Sequence, residues 1–395
     1  MFAVFFYIFL MLLQVAYFAT KKAGPMVMIN SVFQLILSVG AYYYANSPFY
    51  SRGIFLYPFL MLFFLNFAAN YAMQGKFYIS RTAINRNKFI MPMSCLYLAF
   101  TLFFVATRIG DVFSVSQSGD YAAAYLEANS EDVVFHTSLF EQLAVNYLNY
   151  LMIPILLYGF CCIINKKTVW GISLLLTVLS FKVVWGIIYA SRTQIVIPIV
   201  LVILIYLMFK NEFSKETRKK IRNILLYSVA GLSFVIILIS LSRFEGMDLA
   251  DWLFLYVGGS IMDFHDIVLT NTRFTGGSYF FGFFKGMFPQ FKMEPNYTIS
   301  FITGFAPTYA RLYTDFQWWW LLIFLPVCLS FHRIANKKEH SFAGVYMLLV
   351  FFVYTFIGNL YSFADFTALM VYVVVYIIIS FGDLMGNKRT IQVKK

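Results

Sequence analysis

The stretch SRTQIVIPIVLVILIYLMFK, residues 191–210, continued by NEFSKETRKKIR, residues 211–222, decides the fold. Its apolar core, near residues 194–209, contains no ionisable side chain. Six basic residues (Lys210, Lys215, Arg218, Lys219, Lys220 and Arg222) close it at one end, and Arg192 alone opens it at the other. An apolar run approaching the roughly 20 residues that cross a hydrocarbon core, with flanks this unequal, reads as a membrane span with its basic end in the cytoplasm.

Ten further runs follow the same pattern, near residues 2–19, 25–45, 53–71, 89–107, 144–164, 169–190, 223–241, 318–333, 343–361 and 366–381. The chain as a whole is 61% hydrophobic and 12% charged. A soluble domain carries roughly 25% charged residues, so that class is excluded. The expected fold is all-α: a polytopic membrane helical bundle of about 11 spans, forming a single integral membrane domain over residues 1–395. The first run has no basic residue before it and no small-x-small site before Lys21, so it reads as a span rather than a removed signal. The four cysteines, Cys95, Cys161, Cys162 and Cys328, fall inside spans without metal-ligand spacing, and neither metal nor cofactor is expected.

Alternate connections set the orientation. One set, with Lys21 and Lys22, the 76–88 and 210–222 clusters, Lys166 and Lys167, Arg333 to Lys338 and the C-terminal lysines, holds 21 of the 30 basic residues against four acids. This set is cytoplasmic, which places the C-terminus (tail 382–395) inside and the N-terminus on the outer side of the membrane. The net charge of +12 therefore reflects topology, and nucleic acid is not an expected partner. Two external segments remain, 108–142 and 242–317. The first is acidic and helix-friendly. The second is apolar in parts and broken by glycines and charges, as a re-entrant or interfacial segment would be.

Outer arginines oppose the topological bias and need a reason. Arg192, Arg243, Arg273 and Arg311 are candidate ligands for a pyrophosphate, because a guanidinium forks bidentately onto phosphate and stays charged. Each alone has a plainer reading: headgroup snorkelling for Arg192, an ion pair with Glu245 or Asp248 for Arg243, loop salt bridges to Asp266 or Asp315 for the other two. The sequence MDFHDIV supplies Asp263, His265 and Asp266 as candidate catalytic groups, a general base for a sugar hydroxyl. In a helix the two aspartates share a face and His265 points elsewhere; the plain alternative is a solvated polar edge. Lys182 lies well inside a span, either functional or snorkelling outward. No span interior contains Asp or Glu, which counts against an ion-coupled transporter. Aromatic residues near the long segment, among them Tyr309, Tyr313 and Trp318 to Trp320, with Asp315 beside them, are candidate glycan contacts.

About 11 spans, SRTQIVIPIV at an outer hinge, a large external segment before the last three spans, and TGFAPTYARLYTDFQWWW (303–320) re-entering the membrane together resemble the Wzy-type O-antigen polymerases. The resemblance implies a GT-C-like inner-membrane glycosyltransferase. It would polymerise undecaprenyl-pyrophosphate-linked oligosaccharide repeat units at the periplasmic face, making O-antigen, capsule or exopolysaccharide. The implied partners are that lipid-linked glycan, membrane lipids, a chain-length regulator and a flippase. Where some relatives have glycine eleven positions after an arginine, this chain has Ile203, Phe254, Phe284 and Leu322. The alternatives are an O-antigen ligase-like transferase and a lipid-linked oligosaccharide flippase or exporter.

Overall fold

The computed structural model describes residues 1–48, 50–75, 87, 89–119, 139–189, 191–243, 249–270, 308–337, 340–359 and 366–392. The described residues form the helices α1 (Phe2–Thr20), α2 (Pro25–Ala45), α3 (Leu56–Ala72), α4 (Ile90–Ser118), α5 (Leu139–Ile164), α6 (Thr168–Ile188), α7 (Arg192–Phe209), α8 (Lys215–Arg243), α9 (Leu249–Thr270), α10 (Thr308–Phe316), α11 (Trp320–Ala335), α12 (Phe342–Phe356) and α13 (Phe366–Gln392). A helix stands at each of the eleven expected runs. Among the described residues, seven helical segments are long and apolar enough to cross a membrane: Phe2–Thr20, Pro25–Ala45, Ile90–Ser118, Phe140–Ile164, Thr168–Ile188, Thr308–Ala335 and Phe342–Asn359. Leu56–Ala72, Gln194–Phe209 and Leu369–Met385 are shorter apolar helices.

Local chemistry explains several boundaries. Gly24 caps α2 in an extended conformation with Pro25 at the first helical position, where its missing N–H costs nothing. Gly119, at φ 67°, returns its N–H to the Val115 carbonyl and ends α4, well beyond the expected residue 107. Helix α13 continues to Gln392, through the segment read as a tail.

The chain divides into two compact units. The first comprises residues 1–78, 247–340 and 347–374; the second comprises 79–246, 341–346 and 375–395. In the first unit, Phe5, Phe9 and Leu12 of α1 are exposed whereas Gln14, Asn30, Gln34, Asn66 and Asn70 are buried, the pattern expected of a bundle immersed in lipid. Gln34 is the hub of those amides. Its Oε1 accepts from Gln14 Nε2 and Asn70 Nδ2, both at 2.8 Å, and its Nε2 donates to Asn66 Oδ1 at 3.0 Å, tying α1, α2 and α3 together. At about 0.6 kcal/mol per interhelical bond in a membrane, Gln34→Leu is expected to cost about 2 kcal/mol, read as a lower melting temperature in detergent.

The segment expected to be broken contains a 22-residue helix, α9, packed along α2. Gly40 and Gly258 make this approach possible. A Cβ on Gly40 would lie 2.6 Å from Val257 Cγ1, and one on Gly258 would run into the Gly40 carbonyl. Gly258→Leu is expected to separate the helices and cost about 3 kcal/mol or more. Gly231→Ala, where an added Cβ meets nothing within 4 Å, is the neutral control in the same unfolding measurement.

The second unit holds α4 to α8. An added Cβ on Gly171 of α6 would lie 2.5 Å from the Gly159 carbonyl oxygen of α5, and Arg108 of α4 bonds Glu141 of α5 at 2.6 Å. Lys182 is buried within this unit. Its ammonium donates to Asn149 Oδ1 at 2.6 Å and Gln194 Oε1 at 2.7 Å, linking α6 to α5 and α7 instead of snorkelling outward.

Candidate functional site

The connection between α2 and α3 meets the C-terminal half of α9 in the first unit. There the MDFHDIV residues are packed inside: Asp263, His265 and Asp266 are all buried, which rules out a solvated polar edge. Phe55, the N-cap of α3, has an extended backbone, and its N–H donates to His265 Nε2 at 3.0 Å. A main-chain N–H can only donate, so Nε2 carries the lone pair and Nδ1 the proton. Nδ1 then donates to Asp266 Oδ1 at 2.9 Å. The Tyr50 hydroxyl donates to the same oxygen at 2.7 Å and lies 3.2 Å from His265 Nδ1. The His265 ring is 0% exposed and stacks on Phe59 of α3, with centroids 5.1 Å apart.

This arrangement corrects the sequence-based view of His265. The imidazole does not point away from the aspartates; it turns back onto its neighbour Asp266 because Phe55 and Tyr50 hold it there. Both ring nitrogens are engaged and the ring has no exposed surface.

The other oxygen of Asp266 is buried and accepts no hydrogen bond from the described residues. Oδ2 lies 3.4 Å from Arg52 Nη1, and the two side chains are 5% and 46% exposed. A buried carboxylate is costly unless it is paired and hydrogen-bonded. Asp266 meets both conditions, with two neutral donors on Oδ1 and a guanidinium beside Oδ2. Burial, with the bond to Asp266 adding to it, pushes the Tyr50 phenol above its ordinary pKa, so it remains a donor. The result is a half-exposed arginine paired with a buried carboxylate more than 200 positions away, which Tyr50 and His265 hold in place.

Arg52 and Tyr50 were not among the residues singled out from sequence. Arg52 had the available signal, a lone basic residue in a short connection on the expected outer side. Of the four arginines that were singled out, Arg192 opens α7, Arg243 closes α8 and Arg311 lies in α10. Arg192 and Arg243 belong to the second unit and Arg311 to the first, while Arg273 lies outside the described residues.

The expected glycan contacts are also redistributed. Tyr309, Tyr313 and Asp315 are buried in α10. Tyr309 stacks on Trp320, with centroids 5.9 Å apart, and Tyr313 meets Trp318 edge-on at 6.0 Å. The exposed aromatic surface nearby is Trp318, Trp319 and Tyr57, with Tyr57 and Trp318 in ring contact at 5.5 Å. Tyr57 lies in the first turn of α3, five residues after Arg52.

No protein-family model, curated protein or solved structure matches the chain.

Proposed function

We propose that this chain is a membrane glycosyltransferase that polymerises undecaprenyl-pyrophosphate-linked oligosaccharide repeat units at the periplasmic face, with eleven spans and a GT-C-like architecture. The observation that carries the reading is Arg52, half-exposed and oriented by the buried Asp266, His265 and Tyr50. Counting basic residues puts Arg52 on the side opposite Lys21, Lys22 and Lys337, the side where the lipid-linked unit is presented. As the acceptor hydroxyl attacks the anomeric carbon, the bond to the pyrophosphate oxygen breaks and negative charge builds on that oxygen. A pre-oriented guanidinium stabilises this charge without reorganising at the moment of reaction. Trp318, Trp319 and Tyr57 offer exposed ring faces on which sugars stack. Arg192, Arg243, Arg273 and Arg311 remain candidate anion ligands on the sequence argument alone.

Purified full-length protein in liposomes loaded with lipid-pyrophosphate-linked repeat units tests the proposal. The expected result is a ladder of lengthened lipid-linked glycans, with one undecaprenyl pyrophosphate released per new glycosidic bond. Transfer of lipid-linked units between leaflets with no new glycosidic bond would refute it in favour of a flippase.

A further inference from the structure

At the other end of the first unit, four helices finish around one cavity of about 610 Å³. The C-termini of α1, α3 and α11 and the N-terminus of α2 surround it. Its lining includes Lys21, Lys22 and Lys337, with His332, Asn336 and Gln74, and none of the eleven described residues that line it is acidic. Membrane topology puts lysines on this side, and helix C-termini attract cations. Neither requirement brings three lysines from two separate connections to one cavity.

Two details show a built concavity. Gly75 lets the end of α3 sit directly against the Ala335 carbonyl, where any Cβ would collide. Lys22 adopts φ 51°, the left-handed region, immediately after α1. Glycine takes that conformation without steric cost, whereas a residue bearing a Cβ is disfavoured by about 1 kcal/mol. The backbone there favours glycine, yet the position holds a lysine that lines the cavity. On the wall, His332 stacks on Tyr71, with centroids 4.6 Å apart, and its Nδ1 lies 3.1 Å from the Tyr71 carbonyl oxygen. The volume lies within the roughly 300–1,000 Å³ typical of small-molecule sites.

We propose that this cavity binds a phosphate-bearing anion, with the headgroup of an anionic phospholipid in the adjacent leaflet as its source. Basic pockets between membrane helices on the cytoplasmic side recognise such headgroups. The lysines neutralise the phosphate, while Asn336 and Gln74 offer hydrogen bonds to its ester oxygens or glycerol hydroxyls. The inference rests on the first unit alone and stands apart from the glycan reading.

Native mass spectrometry of the full-length protein, titrated with phosphatidylglycerol or phosphatidylcholine and separately with inorganic phosphate, tests it. The triple variant Lys21→Gln, Lys22→Gln, Lys337→Gln is compared with Lys215→Gln, Lys219→Gln, Lys220→Gln, which removes equal charge from α8. Wild type and the α8 variant should retain phosphatidylglycerol over phosphatidylcholine, and the cavity variant should lose about a hundredfold in affinity, from about one factor of five per lysine. Inorganic phosphate that binds wild type and displaces the lipid would also support the site, with a soluble anion as its source. Equal lipid retention by the cavity variant and wild type would overturn the proposal, as would an equal loss in the α8 variant. An unchanged melting temperature in the cavity variant separates lost binding from lost folding.

Discussion

Arg52→Ala is expected to lower glycan extension by about 100- to 1,000-fold, the scale of removing one preorganised donor from a developing oxyanion. Arg52 is half-exposed, so its truncation opens no core cavity. The buried Asp266 carboxylate loses its counter-charge, so a stability loss of about 1–3 kcal/mol should accompany the rate effect. Arg52→Lys keeps the charge that balances Asp266 but loses the planar fork, and should recover only a minor part of the rate. Steady-state extension of lipid-linked substrate, measured beside a thermal melt, separates the two effects. A full-rate Arg52→Ala enzyme would remove Arg52 from the chemistry. The same pair of substitutions at Arg192, Arg243 and Arg311 shows which of these arginines contribute to extension.

Asp266→Ala has the second large expected effect, and here stability falls first. Deleting the carboxylate strips the acceptor from the Tyr50 hydroxyl and from His265 Nδ1, both inside the first unit, and frees Arg52. Each buried donor left unsatisfied costs about 1–3 kcal/mol. Asp266→Asn is more informative. It keeps the shape and one acceptor oxygen while removing the charge that aims the guanidinium, so extension should fall by more than the melting temperature suggests. If the Asp266→Asn enzyme extended glycan at the wild-type rate, the buried framework would be structural only.

The helices were legible because apolar runs of span length announce themselves, and each of the eleven became a helix. Boundaries moved where local chemistry intervened. Gly119 carried α4 to Ser118, and α3 starts at Leu56, not 53, because residues before it are extended to deliver the Phe55 N–H to His265. Helix α9 was hidden for a related reason. Asp263, His265 and Asp266 interrupt its hydropathy, and only partners in another connection make their burial tolerable.

The site was half legible on the same grounds. A histidine between two aspartates is visible in seven residues of sequence, but Tyr50 and Arg52 reach Asp266 across more than 200 residues, and no periodicity encodes that pairing. The burial of Tyr309 and Tyr313 was not legible either, since an aromatic residue beside a candidate site looks alike in sequence whether it packs a core or faces solvent. Burial distinguishes them, and leaves Trp318, Trp319 and Tyr57 as the exposed rings.

The central claim is polymerisation, and the length profile of surface glycans in the host tests it most directly. Deleting the gene should collapse the ladder to a single capped repeat unit; wild-type protein should restore it, and the Arg52→Ala variant should not. An unchanged ladder in the deletion strain, or complete loss of the surface glycan, would contradict the account.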